Sequence, residues 1–428
     1  MLLAAGPRWK GGGTGGATEP EALMTPTPRR LVVDDALARD LIGLRRALHA
    51  DPEVGLDLPR TQRRVLDAVD GLGLEITTGE RLGSVVAVLR GGRPGPVVLL
   101  RGDMDALPLD ELTGLTFAST NGAMHACGHD LHTAALVGAA RLLAGVRDSL
   151  PGTVVFMFQP GEEGYDGAGV MLDEGVLTAA GAEPVAAYGV HVAADMPRGV
   201  LTSRPGPMMA AFGRLDVTVR GSGGHASRPH HALDPIQVGA EVVTALQTLV
   251  TRRFDVFDPV VVTVGEFHGG TAPNIIPDSA RLRAGVRWFS ADNAARLGRE
   301  LPELVRSIAV GHGLTADVTF EEVLPATVND AGEAEFYART AVGLFGADRY
   351  RHLDNPLTGS EDFSRVLGRV PGSYGFLGAA PADPGGRPAS NHSPRAVFDD
   401  GVLADQALFL ATLARDRLHR EREEGGAG

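Results

Sequence analysis

The amino-acid sequence predicts an α/β fold, with a mainly parallel sheet and an inserted α+β domain of two helices on a four-stranded sheet. Two observations lead to this prediction. Short apolar runs alternate with helical patterns from residue 34 to about 205, as is typical of parallel sheets. Half-buried strand patterns then replace them between residues 206 and 322. Because parallel sheets bind ligands beyond the carboxyl ends of their strands, we expect the functional site there.

The first predicted elements are two helices and two short strands. Leucines recur at helical spacing behind an Asp pair that can cap a helix, and Asp51-Pro52 ends this pattern. Val-rich runs between Gly and Pro clusters follow, as expected for buried strands. The predicted helices cover about 34–50 and 61–69, and the predicted strands 83–89 and 96–100.

Three predicted strands end in polar residues. Strands are predicted over 153–158 and 185–190, and their interiors contain no charged residue. A helix over about 130–146 precedes them. The strand that ends at Leu100 leads into Arg101-Gly102-Asp103-Met104-Asp105, the next into Gln159-Pro160-Gly161-Glu162-Glu163, and the third into His191. Acids and a histidine therefore gather where a parallel sheet presents its ligand site.

The rest of the chain predicts an insertion and then a return to the first pattern. Within 206–322, strands are predicted over 212–219, 260–265, 280–289 and 314–320, with helices over 234–250 and 292–311. Afterwards helices are predicted near 332–345, 360–367 and 399–418, and a strand over 374–377. We expect a disordered leader over 1–30, a main domain from 31–205 with 323–428, and an inserted domain over 206–322.

Composition narrows the class of protein. With 428 residues, of which 43% are hydrophobic, the chain is long enough for two or three globular domains. Its net charge of −13 is spread along the sequence without a Lys/Arg cluster, which argues against a nucleic-acid partner. No apolar run approaches the length of a membrane span, and the N-terminal run is too short for a signal peptide. A single cysteine excludes an intrachain disulfide, so the expected location is cytoplasmic.

The densest group of candidate ligand residues is His125-Ala126-Cys127-Gly128-His129-Asp130-Leu131-His132, which contains the only cysteine of the sequence. Divalent first-row cations bind thiolate and imidazole groups, and the Cys-x-His spacing can place both on one ion. A single cysteine is also often a small buried apolar residue. This stretch by itself therefore leaves metal binding and packing both open.

Further donors follow other predicted strands and loops. Glu162-Glu163 comes after a Pro-Gly turn, where one carboxylate could hold a cation while its neighbour acts as a general base. Each donor alone has an ordinary explanation, since Glu-Glu pairs are usually solvated and strand-end histidines are usually satisfied polar groups. As a set they suit two cations bridged by water, because five donors are available from Cys127, His129, Glu163, His191 and His392.

The order of the motifs resembles the M20 metallopeptidase family. The resemblance spans about residues 36 to 418. The most similar branch contains the amidohydrolases that cleave N-acyl amino acids, such as hippurate hydrolases and indole-acetyl-amino-acid hydrolases. The motifs that carry it are Arg-Gly-Asp-Met-Asp-Ala-Leu-Pro (101–108), the HACGHDLH stretch, Gln-Pro-Gly-Glu-Glu-Gly (159–164), Gly-Val-His (189–191), Gly-Gly-His-Ala-Ser-Arg-Pro (223–229), Ala-Pro-Asn-Ile-Ile-Pro (272–277), Gly-Ser-Glu-Asp-Phe (359–363) and Asn-His-Ser-Pro (391–394).

This resemblance implies roles for individual residues. Glu162 matches the general base of the family, and Asp105 matches an acid that orients a ligand imidazole from behind the metals. Asp103 stands where other branches have a ligand histidine, which leaves its contact with metal open. The implied metal ligands are Cys127, His129, Glu163, His191 and His392.

Within the predicted insertion, the resemblance implies three further functional residues. His225 matches a histidine that reaches the active site of a dimer partner and stabilises the oxyanion. Asn274 and Arg287 match groups near the carboxylate of the substrate. Without the resemblance, Ser222-Gly223-Gly224-His225 indicates only a polar loop, and Arg287 only a strand residue that faces solvent.

The implied activity is hydrolysis of the amide bond of an N-acyl amino acid to a carboxylic acid and a free amino acid. Two divalent ions would serve it, either zinc or manganese, with cobalt or nickel possible. A dipeptidase or carboxypeptidase and a deacetylase of N-acetylated diamino acids share this metal chemistry, and a non-catalytic ligand-binding relative is the alternative of a different class. The resemblance also implies a homodimer, formed through the inserted dimerisation or lid domain.

Overall fold

The computed structural model describes residues 31–382 and 386–425, with side chains as far as residue 420. The predicted leader over 1–30 lies outside these ranges. The strands of the described chain are β1 (Glu75–Thr78), β2 (Val85–Arg90), β3 (Arg93–Asp103), β4 (Pro151–Gln159), β5 (Ala186–Ala193), β6 (Leu201–Ser203), β7 (Gly206–Met209), β8 (Ala211–Arg220), β9 (Gly224–His225), β10 (Val261–Gly269), β11 (Ile275–Ile276), β12 (Ser279–Trp288), β13 (Thr315–Leu324), β14 (Thr327–Asn329), β15 (Tyr350–His352) and β16 (Gly372–Gly378).

Apart from the short helix α4, which was not predicted, the helices of the described chain lie close to the predicted positions. They are α1 (Asp35–His49), α2 (Pro59–Val69), α3 (His129–Ala144), α4 (Gly167–Asp173), α5 (Pro235–Arg253), α6 (Ala291–Gly311), α7 (Ala331–Phe345), α8 (Ser364–Leu367) and α9 (Leu403–Gly425). The helix predicted over 360–367 is shorter than expected. Glu361 and Asp362 lie before α8 because their buried carboxylates bind Arg101 and Gln159.

An eight-stranded sheet of order β1-β2-β4-β3-β5-β16-β6-β15 carries the site. Its central strands β4, β3, β5 and β16 are parallel, whereas β1 and β2 add to the edge in antiparallel pairs. The prediction of an α/β fold with a mainly parallel sheet is therefore confirmed. The short strands β1, β6 and β15 were not predicted, because runs of three or four residues carry no readable periodicity.

The central strands are apolar because both faces of the sheet are covered. Every residue of β4 and of β5 is buried, which is why these segments have continuous rather than alternating hydrophobicity. Helices α1, α3 and α9 pack together against one face. Helix α3 is buried almost along its whole length, and it begins at the carboxyl edge of the sheet.

A second sheet is antiparallel and has the order β10-β12-β8-β13. Buried and exposed residues alternate along β8 and β12, so only one face of this sheet is covered. Helices α5 and α6 pack on that face through apolar side chains that include Val238, Val242, Leu297 and Leu301. From Leu31 onward the chain forms a single compact unit, and a separate inserted domain over 206–322 stays a prediction.

The carboxyl ends of β3, β4 and β5 meet at one edge of the large sheet. Asp103 at the end of β3 lies opposite Gln159 at the end of β4, and Arg101 lies opposite Gly189 in β5. The polar clusters that follow these strands are thereby brought together. Across residues 31–382 and 386–425, no helix is both long and apolar enough to cross a bilayer.

Candidate metal centre

A tight turn delivers the first two candidate ligands. Gly128 separates Cys127 from His129 and has a φ of 84°, in the left-handed region that favours glycine. A Cβ at this position would lie only 2.4 Å from Cγ2 of Val192. Both the backbone conformation and the close approach therefore require glycine between the two ligands.

All of the predicted metal ligands lie in one cluster. The ligand atoms of Cys127, His129 and His191 lie within 4.8 Å of one another, and so do those of Cys127, Glu163 and His392. The Cys127 Sγ is 3.4 Å from His191 Nε2 and 3.2 Å from His392 Nε2. The His392 Nε2 is in turn 3.1 Å from an oxygen of Glu163. Four separate chain segments thus meet around the thiol.

The buried histidines of the cluster have their tautomers set by backbone carbonyls. The Nδ1 of His129 lies 2.9 Å from the carbonyl oxygen of Asp105, and that of His191 lies 2.7 Å from the carbonyl oxygen of Val192. A carbonyl oxygen can only accept, so each Nδ1 carries a proton, and in the neutral form of each ring the lone pair lies on Nε2. The buried Nε2 of His129 has no hydrogen-bond partner among the described residues. This is the donor arrangement that a metal-binding histidine requires.

The surroundings of Cys127 lower the pKa of its thiol. Burial alone would raise its pKa, but the neighbouring imidazoles of His191 and His129 hold that pKa well below its ordinary value. The thiolate is the form of cysteine that binds metals. The donor set and its protonation states therefore fit divalent cations.

His392 reaches the cluster from a strained loop. Its φ of 68° lies in the left-handed region, which residues other than glycine seldom occupy. About half of its side chain is exposed, whereas His129 and His191 are buried. Backbone strain of this kind is common at functional sites.

Glu162 lies beside the cluster, among other acids. A carboxylate oxygen of Glu162 lies within 4.8 Å of possible ligand atoms of His129 and Glu163. A similar cluster joins Glu162 with Glu361 and Asp362. Burial and the negative charges of Glu361, Asp362 and Glu163 raise the pKa of Glu162 well above its ordinary value. A carboxylate with a raised pKa is a stronger base, as a proton acceptor near neutral pH must be.

Asp105 positions the two adjacent glutamates. Its carboxylate oxygens accept hydrogen bonds from the backbone N–H groups of Glu162 and Glu163, each at 3.0 Å. The resemblance implied that this carboxylate orients a ligand imidazole. The backbone carbonyl of Asp105 does bond to His129, while the carboxylate lies 3.5 Å from the same Nδ1. Asp105 therefore contacts both the ligand candidate His129 and the glutamate pair Glu162-Glu163.

Asp103 and His132 form a supporting pair next to the cluster. The Nε2 of His132 accepts a hydrogen bond from the backbone N–H of Val192 at 2.8 Å, so its Nδ1 donates to Asp103. The carboxylate of Asp103 also accepts from Arg101 at 2.7 Å, and it lies 3.4 Å from the free Nε2 of His129. Possible ligand atoms of Asp103, His129 and His132 lie within 4.8 Å of one another, but both ring nitrogens of His132 already have hydrogen-bond partners.

The sequence model of the protein family described as peptidase family M20/M25/M40 matches residues 99–416 of this chain. The chain belongs to this family. Thermostable carboxypeptidase 1 of Saccharolobus solfataricus is 36% identical over 87% of this chain and 94% of its own length. The IAA-amino acid hydrolase ILR1-like 4 of Arabidopsis thaliana is 37% identical over 87% of this chain and 84% of its own length.

A solved structure of the M20 family has the same fold. The YXEP protein of Bacillus subtilis, described as a dinuclear metal binding peptidase, is 31% identical and superimposes with a TM-score of 0.78. The match covers 90% of this chain and 99% of that protein. This chain is therefore an M20-type hydrolase of amide bonds, and the family and the donor cluster together support bound divalent metal ions.

Asn391 is a site residue of this M20 chain to which the sequence assigned no role. Its side-chain N–H groups donate to the carbonyl oxygens of Cys127 at 3.2 Å and Val192 at 3.0 Å, and its Oδ1 accepts from Ala194 N–H at 2.9 Å. These bonds attach the loop of His392 to two other ligand segments. The position of Asn391 beside a candidate ligand was the available signal.

Of the remaining predicted residues, Arg287 lies in β12 of the second sheet, whereas His225 and Asn274 lie at a separate two-stranded sheet formed by β9 and β11. His225 and Asn274 are exposed neighbours, because β9 pairs with β11 and the Ala226 N–H donates to the Asn274 carbonyl at 3.1 Å. His225 belongs to none of the ligand groups found among the described residues, and its Nδ1 contacts Ser227. Arg287 donates to the carbonyl oxygen of Thr358 at 2.8 Å, which places it near the loop of Glu361.

Proposed function

We propose that this chain is a metal-dependent amidohydrolase that cleaves the amide bond of N-acyl amino acids to a carboxylic acid and a free amino acid. The convergence of thiolate, imidazole and carboxylate donors on one point, with Glu162 beside them, is the observation that carries the proposal. The similarity to an IAA-amino acid hydrolase supports an acylated amino acid as the substrate.

The donor cluster has enough ligands for two divalent ions. Cys127, His129, Glu163, His191 and His392 would hold them, with thiolate and imidazole favouring zinc and the carboxylate also tolerating manganese, cobalt or nickel. Such ions would polarise the amide carbonyl and lower the pKa of water in the site.

Glu162 moves the proton in this proposal. Its carboxylate takes a proton from the attacking water as the new C–O bond forms at the amide carbon. It then passes this proton to the nitrogen of the amino acid as the C–N bond breaks. Asp105 holds Glu162 and Glu163 through their backbone N–H groups, so that base and ligand keep a fixed separation.

Arg287 and Asn274 are the proposed contacts for the carboxylate of the substrate. Arg287 lines a cavity of about 450 Å³ on the second sheet together with Arg214 and Arg283. Both of those arginines form salt bridges with Asp216. No carboxylate lies within ion-pair distance of Arg287 among the described residues, and partial burial lowers its pKa. A half-buried cation without a counter-ion suits a negatively charged ligand.

The proposed assembly is a homodimer formed through residues 206–322, in which His225 of one subunit stabilises the oxyanion in its partner. The exposed position of His225 supports this role, because a buried side chain could not reach a second subunit. The edge strand β10 also exposes apolar side chains, including Val261 and Phe267. We place the enzyme in the cytoplasm, on the basis of its single cysteine.

A carboxypeptidase activity on peptides is the second candidate, because a named carboxypeptidase of similar length is 36% identical to this chain. A dipeptidase and a deacetylase of N-acetylated diamino acids would use the same donors. A non-catalytic ligand-binding relative is disfavoured, since the proposed base and all of the proposed ligands are present and lie together.

Elemental analysis combined with a substrate panel tests the proposal. The panel compares N-acetyl, N-benzoyl and N-indoleacetyl amino acids with dipeptides and longer peptides, and Glu162→Gln serves as the inactive control. We expect about two divalent ions per chain and a clear preference for acyl amino acids. Faster cleavage of peptides would support the carboxypeptidase, and a metal-free, inactive protein would support the non-catalytic relative.

A further inference from the structure

A buried ionic cluster lies behind the metal centre, with His49 in the middle of it. The Nδ1 of His49 lies 2.8 Å from a carboxylate oxygen of Asp130, and its Nε2 lies 3.1 Å from a carboxylate oxygen of Glu111. The side chains of His49, Asp130 and Glu111 are at most 1% exposed. Since both partners are carboxylates, His49 donates from both ring nitrogens and carries a positive charge.

The Asp130 side of this cluster leads to His129. Asp130 lies in the first turn of α3, directly after the candidate ligand. Its Oδ2 accepts from Arg45 at 2.7 Å as well as from His49. Both donors belong to α1, so these two bonds join α1 to the helix terminus that carries His129.

The Glu111 side of the cluster leads to His392. Glu111 lies in the irregular segment between β3 and α3, and its other carboxylate oxygen accepts from the backbone N–H of Ser119 at 2.7 Å. The next residue, Leu112, donates its N–H to the Pro394 carbonyl at 2.7 Å and accepts from Arg395 at 3.2 Å. Pro394 is two residues beyond His392, so the segment that His49 holds supports the loop of that ligand.

We propose that His49 is a positioning residue of the metal centre, which fixes the separation between His129 and His392 by binding Asp130 and Glu111 at the same time. His49 touches neither ligand. The inference rests on the proposed function, because it requires both histidines to bind metal. His129 and His392 belong to different ligand groups. His49 bonds to Asp130, which follows His129, and to Glu111, whose neighbour Leu112 bonds to the loop of His392.

The charges around His49 maintain its double protonation. The titratable groups that face it are Arg45 on its own helix, Asp130 on α3, Glu111 on the opposite segment and His125 in the turn before α3. Burial would lower the pKa of His49, but the two carboxylates outweigh burial and raise that pKa to about 9. His49 therefore keeps both donors at neutral pH and loses one of them as the pH rises through about 9.

His49→Gln tests the proposal, with Leu48→Ala as the matched control. Leu48 is the preceding residue of α1 and is equally buried, but it bonds to neither carboxylate. Zn²⁺ affinity is measured on the full-length apoprotein by competition with a chelator, and thermal unfolding of both apo variants is recorded in parallel. We expect His49→Gln to weaken binding of at least one ion by about 10- to 100-fold, as loss of a ligand-orienting contact typically does. Leu48→Ala should change the affinity less than threefold.

The pH dependence and a second variant separate positioning from general destabilisation. The Zn²⁺ dissociation constant of His49→Gln, divided by that of the parent, should fall toward one as the pH rises from 7 to 9.5. His49 of the parent then loses a ring proton and with it one of its two hydrogen bonds to carboxylates. Glu111→Gln keeps the shape of the partner, and combining it with His49→Gln should add less than the two single effects predict. A ratio that is flat with pH, fully additive effects, or an equal loss in Leu48→Ala would overturn the proposal. A parent protein that binds no Zn²⁺ would instead refute the proposed function.

Discussion

Replacing Asn391 by alanine tests how the loop of His392 is held in place. The side chain makes three hydrogen bonds with backbone groups, to the carbonyls of Cys127 and Val192 and from the N–H of Ala194, and its Nδ2 also lies 3.8 Å from the Cys127 Sγ. All three connect this loop to segments that carry other proposed ligands. Alanine removes every one of these bonds and leaves the backbone bond from His392 N–H to the Ala126 carbonyl, at 2.9 Å, in place.

The expected cost follows from the number of bonds lost. A hydrogen bond of this kind contributes about 0.5–1.5 kcal/mol net, so three of them amount to about 1.5–4.5 kcal/mol. Asn391 is only partly buried, and water can replace part of this loss. We therefore expect the free energy of unfolding of the apoprotein to fall by about 1–3 kcal/mol, and the affinity for the ion bound by His392 to fall by about tenfold or more.

Denaturant unfolding of the apoprotein and Zn²⁺ titration measure the two effects separately. Asn391→Asp is the informative comparison, because it keeps the acceptor for Ala194 N–H but loses both donors to the carbonyls. Its affinity should fall at least as far as that of Asn391→Ala, since a carboxylate would face two carbonyl oxygens. Unchanged stability and unchanged Zn²⁺ affinity in Asn391→Ala would show that the loop is held by other contacts.

Three further substitutions test the roles proposed for the site. Glu162→Gln should abolish turnover with normal metal content, because an amide cannot accept the proton; a near-normal rate would exclude Glu162 as the base. Cys127→Ser should lower metal occupancy and rate, since a hydroxyl is a poorer ligand than a thiolate for zinc; full occupancy with full activity would contradict its ligand role. Arg287→Gln should raise KM for an acyl amino acid by about 10- to 100-fold, from about 1.5–3 kcal/mol for a charge-assisted bond; an equal rise for the corresponding acyl amino acid amide would argue against a carboxylate contact.

The candidate ligands could be predicted because each one lies next to a short, readable pattern. Glu163 follows the apolar strand β4, His191 lies near the carboxyl end of β5, which extends to Ala193 beyond the predicted end, and Cys127 and His129 flank a glycine that the turn requires. Parallel strands align their carboxyl ends, so residues that are distant in sequence were expected at one edge. The metal identity and the acyl group of the substrate depend on finer geometry, and they stay proposals.

Other parts of the site could not be read from the sequence. Asn391 belongs to the Asn-His-Ser-Pro motif, but the sequence assigned it no role, because its three backbone partners lie about 200 to 260 residues away. The same holds for Glu361 and Asp362, which were predicted within a helix. Their buried carboxylates bond instead to Arg101 and Gln159, and helix α8 begins only at Ser364. Contacts over such separations leave no local periodicity to detect.

The sequence by itself determined the α/β class and the candidate ligand set, since hydrophobic periodicity and the chemistry of side chains are local properties, and the family resemblance assigned Glu162 as the candidate base. Only the tertiary structure decided that Nδ1 of His129 donates to a carbonyl, which backbone groups Asp105 binds, and which carboxylates His49 binds. These features depend on distances of about 3 Å between groups that are far apart in the chain. Packing of the helices on the sheet sets such distances, and no stretch of sequence specifies them alone.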